Sequence, residues 1–525
     1  MFLQLHDMPV QSNKYPRQPW LVITEVCQAW KQVALAIPSL WTRLVVYSLK
    51  GDGVFKSLLA RSGGENIHLV LHFIVLSREA RDAYRKSLHD GFREHGARIA
   101  SLTVKIDSWD AKPLEEVIAA HTFPALRLFS LVAFPDNPIH VTLPCNSLGN
   151  NVTIDLDSVY LVLYDSDSDK IVRKIRFLNK AGSPREDIIR QIYGLGFLRT
   201  LEQYAFLTEI CFEYSAPRMM QNTPLCDVHL PPGLKRLSII EEPWGAQSLL
   251  SHLVFHPLSY TTLEFLALNI DLRDDRFHYS SCVLEDTLRS FKWDLIYQFV
   301  ADCSSVRFAL WPSYAFMMTA GHDSSLLFPK WVFGFKNGRQ AVIEDIATNL
   351  VQNYITIFSP PYVRKGAFSH LTQFWLHDAS GTLGQRLEWG SLLRGLPVSV
   401  HSLALGDASL VCDFINAMQD LAEAVPPDSD RTWPKKEPVR FKQLSCCVID
   451  SILSPEPMEL VTRVLLRCRQ RNLLEVDELI LRLPAPPPSQ YVPGTDALGV
   501  SEESYKVSVH RHTCSICHGP SPAPR

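Results

Sequence analysis

Apolar residues change their period along this chain, and the change divides it. From Trp20 onward, Val22, Val26, Trp30, Val33 and Ile37 recur at intervals of four, four, three and four residues. That spacing puts them on one face of an α-helix. Pro19 fits a first helical turn, where a missing N–H costs nothing, and Pro38 stops the pattern. The predicted helical unit, about 25 residues long, is too small to hold a core alone. Its apolar face must pack on something else.

Beyond residue 65 the period drops to two, and IHLVLHF reads as a strand. A spacing then repeats in which apolar residues fall at i, i+3 and i+5. It occurs at Ile99, Leu102, Val104; at Leu126, Phe129, Leu131; at Leu234, Leu237, Ile239; and at Leu263, Leu266, Leu268. It returns at Leu371, Phe374, Leu376; at Val400, Leu403, Leu405; and at Val476, Leu479, Leu481. The second and third members share one face of a short strand, and the first packs where the chain enters it. The starts at 99 and 126, 234 and 263, and 371 and 400 lie a little under ~30 residues apart, within the period of leucine-rich repeats. The other intervals are longer and irregular. SREARDAYRKSLHDGFREHG, REDIIRQIYGLGFL and PMELVTRVLLRCRQRNLL read as helices between strands.

The predicted fold class is therefore α/β: an irregular, curved leucine-rich-repeat-like solenoid preceded by a short helical module. The expected divisions are a helical module over 1–48, a repeat domain over 49–483 and a proline-rich disordered tail over 484–525. Residues 423–440, rich in proline and charge, are expected to be a disordered insertion. A chance abundance of leucine motifs in an ordinary α/β enzyme is the competing explanation.

Composition narrows the function classes. Hydrophobic residues make up 46% and charged residues 20% of the 525, the balance of a folded chain long enough for more than one domain. A net charge of −3 argues against a nucleic-acid binder and against a polybasic membrane-surface protein. No charged N-terminal region leads into a long apolar run, and stretches such as IHLVLHFIVL reach about half of the roughly 20 residues a bilayer needs. The expectation is a cytoplasmic or nuclear protein with neither nucleic acid nor membrane as partner. The 12 cysteines are scattered, which suits free buried thiols.

Searching for chemistry mostly eliminates it. Cys514 and Cys517 stand at C-x-x-C-H spacing, with His510, His512 and His518 nearby. Such a set fits zinc or a haem attachment, but it lies in the tail with no second cysteine pair. It is read as a chance pattern or a weak metal-binding tail, no cofactor is assigned, and a metal- or haem-binding protein using Cys514 and Cys517 stands as a third alternative. Asp165, Asp167 and Asp169 open like a calcium loop that Lys170 and Arg176 then break. Gly194 and Gly196 start a dinucleotide fingerprint that Arg199 ends. No phosphate-binding loop, H-E-x-x-H or G-x-S-x-G is present. The expectation is a protein that is not an enzyme. Trp244, Trp293, Trp311, Trp331 and Trp375 are read as packing residues, and any that stand exposed on the repeat surface become anchors for a protein partner.

The stretch WLVITEVCQAWKQVALAIPSLWTRL resembles the second half of an F-box, in the form common in mushroom-type (basidiomycete) fungi. Val26, Cys27, Trp30, Ala34, Pro38, Leu40 and Trp41 match Val-Cys-x-x-Trp-x-x-x-Ala followed by Pro-x-Leu-Trp. Leu59, Arg61, Ser62 and Gly63 match the Leu-x-Arg-Ser-Gly turn that such proteins place before their first repeat strand. The likeness covers residues 20–73; the remainder agrees in architecture alone. It implies an adaptor. Val22, Val26, Cys27, Trp30, Val33, Pro38, Leu40 and Trp41 would hold a Skp-type linker protein, which bridges to a cullin-based (SCF) ubiquitin ligase. The repeat surface would hold an unidentified protein substrate. Trp41 is further expected to pack under the helix end, against the start of the repeats. The first family helix, introduced by Leu-Pro-x-Glu, has no counterpart in HDMPVQSN, His6 to Asn13. The expectation is thus a half module whose N-terminal half is missing. The alternative is a repeat scaffold with no ligase role, the helical remnant serving as its cap.

Overall fold

The structure is a computed structural model of the full chain. It describes residues 23–46, 54–73, 78–106, 111–133, 139–164, 172–178, 198, 201–202, 204, 206–214, 227–254, 264–271, 303–311, 315–321, 331–336, 340–352, 369–424, 439–447, 455–471, 473–484 and 506–512. The chain separates into two compact units, 1–264 and 265–525. That division falls inside the stretch expected to be one repeat domain. Both units are mixed α/β, each built on a ladder of largely parallel strands.

In the N-terminal unit the described residues open with α1 (Ile23–Val26) and α2 (Gln28–Ala36), pass through a 3-10 turn at Pro38–Trp41 and enter β1 (Arg43–Val46). Helix α3 (Val54–Arg61), β2 (Ile67–Phe73), α4 (Arg78–His95), β3 (Ile99–Ile106), α5 (Ala111–Ala119) and β4 (Leu128–Ala133) follow. The order continues with β5 (Ile139–Pro144), β6 (Val152–Asp157), β7 (Val159–Tyr164), β8 (Val172–Leu178) and β9 (Glu209–Glu213). It closes with β10 (Val228–His229), β11 (Arg236–Glu241), α6 (Pro243–His252) and β12 (Leu253–Val254).

The strands β1, β2, β3, β4, β6, β8, β9 and β11 pair in that order, every pair parallel. The register explains the repeated spacing. Leu44, Leu69, Leu102, Phe129, Ile154, Ile175, Ile210 and Leu237 form one buried row across the sheet. Val46, Leu71, Val104, Leu131, Leu156, Phe177, Phe212 and Ile239 form the next. A period of two places both rows on one face. Ile99, Leu126 and Leu234 are buried where the chain enters the strand, as the spacing requires.

The second layer differs from the expected alternation of strand and helix. Helix α4 lies between β2 and β3 and buries Tyr84, Leu88 and Phe92, one residue per turn. Among the described residues, strands also build this layer after β4: β5 pairs with β7, and β10 with β12, with α6 standing between β11 and β12. The local reason is alternation of apolar with polar residues in VTIDLD, together with left-handed backbone at Asn151 (φ 62°) and Ser158 (φ 58°), which turns strand directly into strand.

The C-terminal unit contains β13 (Phe265–Asp271), β14 (Ser305–Trp311), β15 (Ala315–Gly321), β16 (Trp331–Lys336) and α7 (Gln340–Gln352). Then come β17 (Gln373–Asp378), α8 (Leu383–Arg386), α9 (Trp389–Gly395), β18 (Ser402–Leu405) and α10 (Ala408–Ala424). The last elements are β19 (Val439–Cys447), α11 (Pro455–Gln470), β20 (Leu474–Pro484) and β21 (Lys506–His512). Strands β14, β17, β18, β19, β20 and β21 form a parallel run, and β14–β15–β16 is an antiparallel meander that leads to β13. The buried row Val306, Phe374, Leu403, Leu444 and Leu479 again joins the residues at i+3.

Two expectations change here. Lys506–His512 is a strand paired with β20, within the stretch read as a disordered tail; Val507 pairs with Leu479 and Val509 with Leu481. Of the insertion expected over 423–440, Glu423 and Ala424 close α10, Val439 and Arg440 open β19, and 425–438 lie outside the described residues.

Candidate functional site

The stretch carrying the family likeness is not one continuous helix. Cys27 is extended (φ −162°, ψ 167°) and separates α1 from α2. Val22, Ile23, Thr24 and Val26 are β-branched and weak helix formers, so the break falls in the poorest helical part of the pattern. The face predicted from periodicity is accordingly divided. Val26 is 55% exposed, Val33 45% and Leu35 36%. Cys27 and Pro38 are exposed, and Trp30 is half-buried. Val22 lies outside the described residues.

Leu40 and Trp41 are 0% and 1% exposed, so they belong to the chain's own core rather than to a surface that could meet a linker. Indole Nε1–H of Trp41 donates to the Ala34 carbonyl at 2.9 Å, near the last turn of α2. The Arg61 guanidinium lies over the other part of the ring, 4.6 Å from its centroid. Trp41 thus packs under the helix end, as the likeness implies, and joins it to the Leu-x-Arg-Ser-Gly turn.

That turn is tied down residue by residue. Ser62 Oγ donates to the Leu59 carbonyl at 2.7 Å. Gly63 takes φ +60° with Pro38 packed against it, a backbone that ends α3 and favours glycine. From the start of β3, Arg98 donates to Ser62 Oγ (2.9 Å), the Glu65 carbonyl (2.9 Å) and the Leu59 carbonyl (3.2 Å). A single cation thereby ties the Leu59 carbonyl, in the last turn of α3, to the turn that follows it. Arg98 has no part in the family pattern; the arginine nearest the turn in sequence, Arg61, is used elsewhere.

The outward faces of the sheets are the other candidate surfaces. In the N-terminal unit the half-buried row is Val45, Val70, Thr103, Ser130, Asp155, Arg176, Cys211 and Ser238. Its charges largely answer one another: Lys174 meets Glu209 at 2.8 Å and Arg176 meets Asp155 at 3.7 Å. Burial pushes the Asp155 carboxyl above its ordinary range, opposed by Arg176 and Lys174. Beside this row, burial and then the Lys105 ammonium hold His72 down to about 4.

In the C-terminal unit the corresponding face carries Arg307 directly across from Trp375, with Gln373 beside it on β17. Trp375, read from sequence as a packing residue, is half-buried on this outward face. Its position between the core residues Phe374 and Leu376 already points it outward, a signal available in the sequence. At the strand end, Asp378 accepts from the backbone N–H groups of Ser380 (3.2 Å), Gly381 (3.1 Å) and Leu383 (2.6 Å). That aspartate is occupied in shaping its loop. Among the described residues no group of three or more His, Cys, Asp or Glu side chains is placed to hold a metal ion, and Cys514 and Cys517 lie outside them.

No protein-family model matches the chain. No curated protein matches it either. Among solved structures, the leucine-rich repeat-containing protein LegL7 from Legionella pneumophila is similar at 11% identity and a TM-score of 0.21, over 84% of this chain and 90% of that one.

Proposed function

We propose that this chain is a non-enzymatic F-box-like adaptor built on leucine-rich-repeat-like units. It would connect a protein substrate to a cullin-based ubiquitin ligase through a Skp-type linker, in the cytoplasm or nucleus. The observation that carries this reading is the pairing of two opposite properties within one short stretch. Leu40 and Trp41 anchor the segment on the first strand, while Val26, Val33 and Leu35 remain exposed beside the half-buried Trp30. Apolar side chains left exposed outside the chain's own core suit a partner that covers them. The linker-binding set then reduces to Val26, Cys27, Trp30, Val33 and Pro38, with Val22 alongside in sequence. The mechanism is proximity: substrate lysines gain effective concentration near the ligase, and the adaptor contributes no reacting group.

The competing reading is a repeat scaffold in which this segment only caps the sheet. The hydrogen bond from Trp41 to Ala34 and the burial of Leu40 favour it, since a cap needs those contacts and no others. Capture of the chain by purified Skp-type linker decides between them. Val26→Asp and Val33→Asp place charges on the exposed face and are expected to abolish capture while leaving the melting temperature within about 2 °C, the scale of a surface substitution. Absence of capture by the unaltered chain would leave the scaffold.

A further inference from the structure

Between α5 and β4 the chain crosses a short stretch that the core grips at its ends. Ile118 and Phe123 are both 0% exposed and fix those ends. Between them Ala119, Ala120 and Thr122 are exposed, and His121 is half-buried. The backbone N–H groups of Ala120 and His121 donate to the carbonyls of Glu116 (3.2 Å) and Ile118 (3.1 Å), which completes the last turn of α5. The His121 side chain then reaches α4. Its Nε2 lies 3.0 Å from Nδ1 of His89. The ring centroids are 5.1 Å apart, so each ring leads with a nitrogen toward the other. Phe92 of α4 meets the His121 ring edge to face, with centroids 5.8 Å apart.

A hydrogen bond between two imidazoles needs one N–H and one bare nitrogen. Two neutral rings supply that, and so does a neutral ring beside an imidazolium. Two imidazolium ions do not: both facing nitrogens then carry protons, and like charges oppose each other. The surrounding charges sharpen the effect. Burial, then His89, then Arg93 of α4 hold the His121 imidazole below its usual range. The carboxylates whose side chains are described on α4 and α5 are engaged elsewhere. Asp90 meets Arg93 at 3.4 Å, Asp82 and Glu116 meet Arg85 at 3.5 Å and 3.0 Å, and Glu94 meets Lys56. Glu115 accepts from the Thr142 backbone N–H. Past the end of α4, Arg98 is held by the turn after α3.

We infer that the His89–His121 pair is an acid-released latch, which holds residues 119–122 on α4 while the pair carries at most one extra proton and releases them when the second arrives. Release returns His121 to water, where its imidazole takes a proton more readily, so acid favours the open state. Ile118 and Phe123 stay anchored, which confines the motion to the exposed stretch between them. The latch is independent of the adaptor reading, since it rests on contacts within the chain.

Hydrogen exchange of the full chain tests it, followed by mass spectrometry on short peptides covering 119–122 and β3, with rates corrected for the intrinsic effect of pH. Protection of 119–122 is expected to fall about tenfold between pH 7.5 and pH 5.0, within the usual span of a coupling between two equilibria. In His89→Gln, whose amide gains no charge and can still accept from His121, the fall should shrink to about twofold or less, while β3 keeps whatever pH dependence it has in the unaltered chain. His121→Gln should abolish the fall and carries the test if His89→Gln fails to fold. No fall in the unaltered chain, or an equal fall in these variants, would overturn the inference.

Discussion

At the residue scale, the two tryptophans of the N-terminal segment have different jobs. Trp41 is buried, donates one hydrogen bond and lies beneath a guanidinium. Trp30 is half-buried on a segment whose neighbours are exposed. Trp41→Ala should cost about 3–5 kcal/mol, the range for deleting a buried large aromatic, read as a lowered denaturation midpoint at unchanged m-value. Trp30→Ala should cost about 1–2 kcal/mol, because less of its area is removed from water. A cost for Trp30 equal to that for Trp41 would contradict the placement of Trp30. The motif names both residues, and no spacing in the sequence separates them. The difference arises because the chain bends at Pro38 and carries Trp41 back under the Ala34 carbonyl.

At the element scale, close approach fixes how the first helices stack. Gly91 lies within α4, where glycine costs about 1 kcal/mol relative to alanine. It is placed against Phe55 of α3, and a Cβ there would collide with the Phe55 ring. Phe55, Phe92 and Phe123 then interlock edge to face, with centroids 6.0 Å and 5.2 Å apart. Gly91→Ala therefore raises helix propensity yet should lower stability by about 1–3 kcal/mol through overpacking. Thermal melting checks the sign: a rise in Tm would mean that Phe55 yields freely. Helix α4 itself is plain in the spacing of Tyr84, Leu88 and Phe92, but nothing local reveals that Gly91 faces Phe55. The same limit applies to α1 and α2. Their apolar period reads as one helix, and the extended Cys27 that divides it leaves no mark in that spacing.

At the scale of the whole molecule, burial of imidazoles couples folding to pH. Burial is the leading cause that holds His72 down to about 4 and lowers His95, His121 and His377. The unfolded chain takes up these protons near pH ~6.5, before the native state does. Stability is therefore full above about pH 6.5 and falls as the pH drops toward about 4. Asp155 and Asp413, both raised by burial, bind protons earlier in the folded chain and offset part of the loss at the acid end. Urea midpoints at pH 7.5, 5.5 and 4.5 should decline in that order, and His72→Gln should flatten the decline. An unchanged midpoint across the series would rule out the linkage.

The division of labour between sequence and structure follows from the range of the interactions. Strand positions and their inward faces are local properties: each strand repeats a period of two, so Leu102 and Val104, or Leu403 and Leu405, declare their side without reference to any neighbour. That was enough to predict an α/β repeat, while Trp375, read as a packing residue, stands on the outward face because it falls between the inward Phe374 and Leu376. Weak triplets, such as Ile154 with Leu156 or Ile210 with Phe212, escape the spacing and become evident through their rows in the sheet. Tertiary contacts decided the rest. They split the repeats into two units, paired β5 with β7, put Leu40 and Trp41 inside while Val26 and Val33 stayed outside, and set Arg307 across from Trp375. Each of those outcomes depends on which distant segment arrives alongside, and residues 68 positions apart, like Arg307 and Trp375, carry no local mark of their pairing.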